Sequence, residues 1–161
     1  VYESTVSYAR TFSTASDSLL FMGATGLGKT LLSGCIARAV ADRGYSVCYV
    51  SAGKLFSDFE TEKFRLKEDG ALTGEYLQTD LLIIDDLGTE MTTQFTVSAL
   101  YQIVNGRLLS GKPTIVSTNL PDTELEARYS AQIASRLLGA YTLYQFCGTD
   151  VRLLRKMESR G

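Results

Sequence analysis

Short runs of apolar residues alternate along this chain with longer stretches in which apolar residues recur every three or four positions. Short apolar runs are typical of strands that are buried on both faces, and the longer periodicity is typical of amphipathic helices. Gly23 ends the first run and Gly44 follows the first helical stretch, and each is expected to end its element. The runs predicted to be strands are SLLFMG, YSVCYVSA, TDLLIIDDLG, PTIVSTN and YTLYQF.

The helical stretches fall between these strands. Two of them, KTLLSGCIARAVADRG and TTQFTVSALYQIVNGRLLSGK, are predicted to be long helices. We also expect a leading helix or arm over residues 1–17, a charged helix over 54–69, a helix near 130–138 and a short basic helix over 150–161. Strands that alternate with helices predict an α/β fold of three layers, in which a five-stranded parallel sheet is covered on both faces.

Composition narrows the classes of protein to consider. A length of 161 residues with 45% apolar residues is expected for one domain. No apolar run approaches the ~20 residues that cross a membrane, and the first residues lack the layout of a signal peptide. We therefore expect a cytoplasmic protein without membrane contact. The net charge of -2 argues against strong non-specific binding of nucleic acid, although it is compatible with a local basic groove.

Cysteine and histidine usage excludes several kinds of site. Cys35, Cys48 and Cys147 are far apart and the chain has no histidine, which argues against zinc and excludes nucleophiles activated by histidine. We expect these three thiols to be buried, reduced and structural.

The first candidate site is the glycine-rich segment GATGLGKT at residues 23–30, which matches the pattern GxxxxGK[ST]. It follows a predicted strand and opens a predicted helix, so backbone N–H groups and the helix N-terminus would surround the phosphates of a nucleotide. In that pattern Lys29 neutralises the β- and γ-phosphates, and Thr30 offers its hydroxyl to Mg²⁺. The residues predicted to contact ATP or ADP are Gly23, Ala24, Thr25, Gly26, Leu27, Gly28, Lys29, Thr30 and Leu31.

Two carboxylates end the third predicted strand. Asp85 is the candidate to hold Mg²⁺ opposite Thr30, since two acids at the end of a buried strand would be costly without a cation. Asp86 would project from the other face of the strand end and orient or polarise the attacking water, with Glu90 as the second choice for that role. The alternative is that one or both aspartates only cap the following turn.

Asn119 follows the fourth predicted strand. Its neutral amide is a candidate to hydrogen-bond the γ-phosphate and the attacking water, and the alternative is an Asx-type turn ahead of Pro121. Because ligands of parallel α/β sheets bind at the carboxyl ends of the strands, we expect all these polar residues to lie at one edge of the sheet.

Five strings of the sequence carry a resemblance to a known family: LLFMGATGLGKT, LLIIDDLGTE, TIVSTNLP, QIASRLLG and GTDVRLLRK. Together they resemble the AAA+ ATPases, and more narrowly the ATPase domain of bacterial helicase loaders of the DnaC/DnaI type and the related IstB transposition ATPases. The resemblance covers roughly residues 18–156. The glycine-rich loop alone occurs in many families, but the paired aspartates and the segment SRLLG are narrower signals.

The resemblance implies roles for individual residues. Asp86 stands where most AAA+ proteins have the water-activating glutamate, and Asn119 matches the sensor 1 residue. Arg136 matches the arginine finger, which reaches the nucleotide of a neighbouring subunit in a ring or spiral. Arg152 matches sensor 2, which contacts the γ-phosphate within its own subunit.

One position departs from the pattern of some loaders, which carry a further arginine four residues before the finger. Gln132 occupies that position here, and Arg128 is a candidate to support the finger instead. The alternative for Arg136 is a surface ion pair with Glu124 or Glu126.

The resemblance also implies how the chain is organised and what it binds. We expect a single AAA+ ATPase domain over residues 1–161, without the C-terminal helical lid of many AAA+ proteins and without the N-terminal helicase-binding domain of loaders. Single-stranded DNA is an implied ligand, with residues 54–69 as the candidate element and the basic tail as a second one. The alternative is an amphipathic helix that packs its phenylalanines on the sheet. The basic and aromatic residues of the candidate element are Lys54, Lys63, Arg65, Lys67, Phe56, Phe59 and Phe64.

As function, we expect an ATP-hydrolysing helicase loader that acts in DNA replication, with a replicative helicase, single-stranded DNA and other copies of itself as partners. Its turnover is expected to be slow and stimulated by assembly or DNA. The alternatives are an IstB-like transposition helper ATPase, a P-loop small-molecule kinase, and a nucleotide-gated binding module with negligible turnover. A kinase would need an arginine-rich lid, and the segment 120–140 supplies only Arg128 and Arg136.

Overall fold

The computed structural model describes residues 1–65 and 71–148, and of residues 65 and 71 it describes the backbone alone. Each strand is separated from the next by one or two helices, close to the alternation that the apolar pattern predicts. In chain order they are α1 (Tyr2–Thr11), β1 (Leu19–Met22), α2 (Lys29–Asp42), β2 (Val47–Ser51), α3 (Ala52–Arg65), α4 (Ala71–Gln78), β3 (Leu81–Leu87), α5 (Gln94–Leu109), β4 (Thr114–Thr118), α6 (Asp122–Tyr129), α7 (Ala131–Ala140) and β5 (Thr142–Gln145).

The strands form one sheet of five parallel strands in the order β2-β3-β4-β1-β5. The predicted α/β fold with a five-stranded parallel sheet is therefore confirmed. β1 pairs with β4 on one side and with β5 on the other, and β4 separates β1 from β3. The strand ends that carry the candidate residues consequently meet at the carboxyl edge of the sheet, where ligands of such folds bind.

Helices cover both faces of the sheet. On one side, which we call the α2 face, Ile36 of α2 packs with Ile83 of β3 and Ile115 of β4. On the other side, the α5 face, helices α3 to α7 pack on residues that include Ile84 and Val116. Neighbouring residues such as Ile83 and Ile84 belong to different clusters because successive strand residues point to opposite faces. The assignment of a strand residue to a face therefore follows from its position.

Two regions contain one helix more than the apolar pattern predicts. The charged helix expected over 54–69 corresponds to α3, which begins directly after β2, and a separate helix α4 precedes β3. The helix expected near 130–138 corresponds to α7, and the short helix α6 precedes it. Only Leu125 and Tyr129 of α6 are buried, so its periodicity is weak in the sequence. Ser130, with a φ of 132°, separates the two helices and caps α7. The basic helix expected over 150–161 lies outside the described residues.

Among the residues that the structure describes, the largest fully buried side chain is a cation, Arg107 of α5. Its guanidinium donates hydrogen bonds to the carbonyl oxygens of Tyr76 and Thr79 at 2.9 Å and of Pro113 at 2.6 Å, and to the hydroxyl of Thr114 at 2.7 Å. Burial lowers the pKa of Arg107 to about 10. This side chain joins the C-terminal end of α4 to α5 and β4, and nothing in the sequence pattern predicts it.

The expectation of three buried thiols is wrong. Cys35 and Cys147 are exposed and Cys48 is half-buried, and burial raises the pKa of the Cys48 thiol. Cys35 lies on the solvent side of α2 and Cys147 follows the edge strand β5, so neither position is covered by another layer. Within residues 1–65 and 71–148, no helix is both long enough and apolar enough to cross a membrane.

Candidate nucleotide-binding site

Three glycines of the loop between β1 and α2 have a positive φ, namely Gly23, Gly26 and Gly28. Gly23 has a φ of 149°, and a Cβ atom there would lie 2.5 Å from the carbonyl oxygen of Phe146, which follows β5. Gly28 adopts the left-handed conformation at the N-cap of α2, with a φ of 91°. An L side chain is unfavourable at both positions. The loop therefore passes close to β5 and then turns directly into a helix whose first N–H groups have no partner within the helix.

Lys29, the first residue of α2, folds its side chain back over this loop. It is 6% exposed, and its Nζ donates hydrogen bonds to the carbonyl oxygens of Gly23 at 2.5 Å and Ala24 at 2.8 Å. Burial lowers the pKa of Lys29, while the nearby carboxylates of Asp86 and Asp85 act in the opposite direction. The ammonium group therefore lies inside the loop and feels the charge of both aspartates.

Asp85 is a buried carboxylate on the side of the sheet that α2 and Lys29 cover. It is 5% exposed and stands near the end of β3. Ile83, two residues earlier, packs with Ile36 on the α2 face. Because strand residues two apart share a face, Asp85 also lies on the α2 face, toward the helix that Lys29 and Thr30 open. Asp85 therefore lies on the same face of the sheet as Lys29 and Thr30, the residues for which the sequence predicts phosphate and Mg²⁺ binding.

Two hydroxyl groups hold the Asp85 carboxylate from neighbouring strands. Ser117 of β4 donates to Oδ1, and Tyr49 of β2 donates to Oδ2 at 2.8 Å. Burial raises the pKa of Tyr49, and the hydrogen bond to Asp85 raises it further. Each carboxylate oxygen accepts one hydrogen bond from a hydroxyl group and has a second lone pair for another partner. Sequence reasoning missed both residues, although each lies in the second half of a predicted strand.

A bulge in β3 sets the position of Asp86. The β3–β4 register shifts between Ile84 and Leu87, so Asp85 and Asp86 both stand opposite the single β4 residue Ser117. Asp86 has a φ of 56°, and its N–H donates to the Ser117 hydroxyl at 3.0 Å. The side chain of Asp86 is exposed whereas that of Asp85 is buried. The prediction for Asp86 assumed regular strand alternation, and the bulge replaces that alternation here.

Asn119 lies at a cavity beside the glycine-rich loop. This cavity has a volume of about 420 Å³, and residues 23–24 form part of its wall together with Asn119. The turn after β4 is held by Thr118, whose hydroxyl donates to the carbonyl oxygen of Leu87 at 2.6 Å and accepts from the N–H of Leu120 at 3.1 Å. Asn119 itself is exposed. Its amide is thus presented at the loop, at the carboxyl end of the strand next to β1.

Glu90, the second choice for activating water, has structural contacts instead. Its carboxylate accepts hydrogen bonds from the N–H of Gly88 at 2.9 Å and from the hydroxyl of Tyr129. Arg128 donates to the carbonyl oxygen of Glu90 at 2.5 Å and to the hydroxyl of Thr92 at 2.6 Å. Glu90 and Arg128 therefore hold the segment after β3 against α6. These contacts favour a structural role for both residues over the roles that the sequence suggested for them.

The oxygen donors on the α2 face suit Mg²⁺, which also binds phosphate oxygens and water. They suit less well a metal ion whose ligands all come from the protein. Thr30 is exposed at the start of α2 and lines a groove with Tyr49 and Leu31. The Thr30 hydroxyl and the Asp85 carboxylate are hard oxygen donors, and Mg²⁺ usually takes one or two carboxylates together with phosphate oxygens and water. The described part of the chain contains no group of three or more His, Cys, Asp or Glu that would hold a metal. The donor set therefore fits a cation that arrives with a phosphate ligand.

Arg136 of α7 is half-buried against α5. Its guanidinium lies 4.9 Å from the ring centroid of Tyr101, donates to Oδ1 of Asn105 at 3.1 Å, and donates to the carbonyl oxygen of Gln132 at 3.2 Å. These partners belong to α5 and α7 rather than to the two glutamates of α6 that the alternative proposed. Arg152, the other predicted arginine, lies outside the described residues.

The aromatic residues of α3 divide into two groups. Phe56 and Phe59 are buried in the core on the α5 face, so the alternative, in which the helix packs its phenylalanines on the sheet, holds for these two residues. Phe64 is 68% exposed, and its ring lies 6.4 Å from that of Phe95. Lys63 Nζ lies 5.0 Å from the Phe95 ring centroid. Only this end of the helix presents aromatic and basic groups together among the described residues of α3.

One further described basic residue of the candidate element is engaged within its own helix. Lys54 forms an ion pair with Asp58 of its own helix. Lys67, the side chain of Arg65 and the basic tail lie outside the part of the chain that the structure describes.

The loop that encloses Lys29 and the buried carboxylate two strands away define the class of protein. A parallel sheet with this order and these two features is a P-loop nucleotide-binding domain of the AAA+ type. The chain belongs to the family of IstB-like ATP binding proteins, whose family model matches residues 5–143. The resemblance found in the sequence is therefore confirmed.

The similarity of the chain to individual proteins supports the same family assignment. A Mycobacterium tuberculosis relative, described as an ATP-binding protein in an insertion sequence, is 30% identical over 105 residues, which is 65% of this chain and 41% of the relative. The replicative helicase loader DnaC of Escherichia coli is 26% identical over 132 residues, which is 81% of this chain and 54% of DnaC. The chain thus spans about half the length of these relatives.

The fold also matches a solved structure. The crystal structure of the DnaC helicase loader superposes with a TM-score of 0.81 at 20% sequence identity, over 90% of this chain and 87% of that chain. At this identity the likeness concerns the fold alone.

Proposed function

We propose that the chain binds ATP and ADP together with Mg²⁺ at the loop between β1 and α2, and that it hydrolyses ATP. The observation that carries this proposal is the buried carboxylate of Asp85, which lies on the α2 face near the ammonium of Lys29. A buried acid is costly unless a cation or hydrogen bonds compensate it. Membership of a family of ATP binding proteins supports the same ligand.

Each residue of the site has a part in this reaction. Lys29 would exchange its two carbonyl partners for β- and γ-phosphate oxygens, and Thr30 and Asp85 would hold Mg²⁺, which would supply charge neutralisation at the transferred phosphate. Asp86 orients the attacking water and accepts its proton. Asn119 donates its amide to the γ-phosphate. Positioning and electrostatic stabilisation of this kind account for most of the catalysis of phosphoryl transfer.

The cavity beside the loop suits the nucleoside part of the ligand. Its wall combines apolar side chains of β5 and α7 with polar groups, as pockets for small ligands usually do. Leu138 lines it, and Leu138→Trp should weaken ADP binding by filling it. Leu109→Trp is the matched control, since Leu109 is exposed at the end of α5. Equal ADP affinity of the two variants would contradict this position of the nucleoside.

Calorimetry tests the central proposal. Wild-type protein is expected to bind ADP and ATP with Mg²⁺, and to release phosphate from ATP without any added acceptor. A folded protein that shows no heat of association with either nucleotide would contradict the proposal. Phosphate transfer to a small molecule, with no release to water, would favour a kinase instead.

In the cell, the role that follows from the similarity to DnaC is that of a helicase loader in DNA replication. The partners would be a replicative helicase, single-stranded DNA and further copies of the chain, with Arg136 contacting the nucleotide of a neighbouring copy. The exposed Phe64 and the adjacent Lys63 suit a base and a phosphate of single-stranded DNA. The cytoplasm is the location that goes with this role.

A second role is favoured by a specific observation, the similarity to a protein of an insertion sequence. In that role the ATPase would assist a transposase rather than a helicase, with the same nucleotide chemistry. Pull-down of a replicative helicase and of a transposase, each with ATP and Mg²⁺, separates the two roles. Retention of the transposase alone would overturn the helicase-loader role.

A further inference from the structure

The carboxylate of Asp85 is held on both of its oxygens by hydroxyl groups from different strands. Ser117 donates to Oδ1 and Tyr49 donates to Oδ2 at 2.8 Å, so the plane of the carboxylate is fixed from β4 on one side and from β2 on the other. Each oxygen keeps one lone pair for a further partner. Asp85 is 5% exposed and lies on the α2 face, where its charge acts on Lys29 of the glycine-rich loop.

We propose that Tyr49 and Ser117 are positioning residues of the cation site, and that the phenol of Tyr49 sets the affinity for Mg²⁺. This inference rests on the proposed function, because it assigns residues to the same site. Groups that hydrogen-bond a metal ligand fix its orientation, and their loss typically costs 10–100-fold in metal affinity or activity.

The two positioning residues differ in what else they do. The buried Ser117 hydroxyl also accepts a hydrogen bond from the N–H of Asp86 at 3.0 Å, so it supports the bulge of β3 as well as the carboxylate. Tyr49 is 40% exposed in the groove beside α2, where its ring fills little of the core. Removal of the Tyr49 hydroxyl therefore isolates the positioning effect, whereas Ser117→Ala would also lower stability.

The test is the Mg²⁺ dependence of ADP binding by Tyr49→Phe. A fluorescent ADP analogue is titrated in EDTA and then at increasing Mg²⁺. The Mg²⁺ concentration for half-maximal enhancement is expected to rise 10–100-fold, while the affinity in EDTA stays at the wild-type value. Tyr8→Phe is the matched control, because the Tyr8 hydroxyl donates to the carbonyl oxygen of Asp17 at 2.9 Å, away from the site.

Two results would overturn the inference. One is a Tyr49→Phe protein with the Mg²⁺ dependence of the wild type. The other is an equal loss of ADP affinity in EDTA and in Mg²⁺, since Tyr49 would then support the loop rather than the carboxylate. Failure of the wild-type protein to bind the analogue in either condition is a separate result, which would refute the proposed function and this inference with it.

Discussion

The Nζ atom of Lys29 donates a hydrogen bond of 2.5 Å to the carbonyl oxygen of Gly23, at the opposite end of the same loop. A second bond of 2.8 Å reaches the carbonyl oxygen of Ala24. The side chain expected to bind phosphate thus closes the loop on itself. A nucleotide would replace two neutral acceptors by charged phosphate oxygens, which form stronger hydrogen bonds with an ammonium group.

Replacement of Lys29 by alanine is therefore expected to weaken nucleotide binding. A hydrogen bond to a charged group contributes about 1.5–3 kcal/mol, so the affinity for ADP with Mg²⁺ should fall about 10- to 100-fold in calorimetry. Lys112→Ala serves as the control, because Lys112 donates to the carbonyl oxygen of Gln78 at 3.0 Å away from the loop. If Lys29→Ala and Lys112→Ala bind ADP equally well, the loop is not the phosphate site.

Asp85→Asn is expected to separate nucleotide binding from Mg²⁺ binding. The amide has no negative charge, and its NH₂ group would face the hydroxyl of Tyr49 or Ser117. ADP affinity in EDTA should therefore persist, Mg²⁺ should no longer raise it, and ATP turnover should fall by about 100-fold or more. Asp42→Asn, on the exposed side of α2, should leave all three measurements unchanged. Wild-type turnover by Asp85→Asn would exclude Asp85 as the metal ligand.

The elements that could be predicted are those whose signal is local. The five strands and the loop at residues 23–30 are each encoded by a contiguous run, and the strand ends place Asp85 and Asn119 at the same edge. The partners of Asp85 could not be predicted, because Tyr49 and Ser117 meet it only through strand order and register. The bulge at Asp86 likewise arises from the pairing of two strands.

The sequence pattern also failed to predict two short helices, α4 and α6. α4 and α6 have eight residues each, which is barely two turns, so few apolar positions can show the helical period. Arg107 illustrates the same limit, since an arginine inside a helix is normally predicted to face solvent. Its burial depends on carbonyl groups at the end of α4, which no local pattern of α5 reveals.

Arg107→Met is expected to cost about 3 kcal/mol or more in the free energy of unfolding. Methionine would leave the carbonyl oxygens of Tyr76, Thr79 and Pro113 buried without their donor, and each such group costs about 1–3 kcal/mol. Urea denaturation followed by circular dichroism measures the change. Arg38→Met, at an exposed position of α2, should stay within about 0.5 kcal/mol of the wild type. A comparably small effect of Arg107→Met would contradict the role of Arg107 in joining α4 to α5.

Stability is expected to fall in alkaline solution because of buried tyrosines. Burial raises the pKa of Tyr8, Tyr76 and Tyr129, and it raises the pKa of Tyr141 to about 12. A tyrosine in the unfolded chain ionises near pH 10, so the unfolded state loses these protons first. The contribution of these groups to stability is therefore complete below about pH 10 and is lost as the pH rises through the folded pKa values.

Urea denaturation at several pH values, with phenolate absorbance recorded in parallel, checks this dependence. The contribution of the tyrosines to the free energy of unfolding should be constant up to about pH 9. Above about pH 10, the free energy of unfolding should decrease steadily. The buried phenols should ionise only together with unfolding. Ionisation of all nine tyrosines near pH 10 in the folded protein would contradict the prediction.

Arg136 has contacts within its own chain, and the effect of losing them must be distinguished from the loss of a catalytic role toward a neighbouring copy. Its guanidinium stacks on Tyr101 and donates to Asn105, so Arg136→Ala is expected to lower stability by about 1 kcal/mol through the loss of this packing. An arginine supplied in trans contributes about 10³–10⁵ to the rate of phosphoryl transfer. Turnover of Arg136→Ala with single-stranded DNA should therefore fall by far more than its stability explains.

Mixing two inactive variants distinguishes these two roles of Arg136. Arg136→Ala keeps an intact loop, and Lys29→Ala keeps an intact arginine, so an interface between the two variants contains one complete site. Turnover by the mixture is expected to exceed the sum of the separate variants, because Arg136 of one copy can act on nucleotide bound by the other. A residue that only ties α7 to α5 acts within its own chain, and the mixture would then show no recovery. Normal turnover by Arg136→Ala alone, with single-stranded DNA present, would exclude the arginine-finger role altogether.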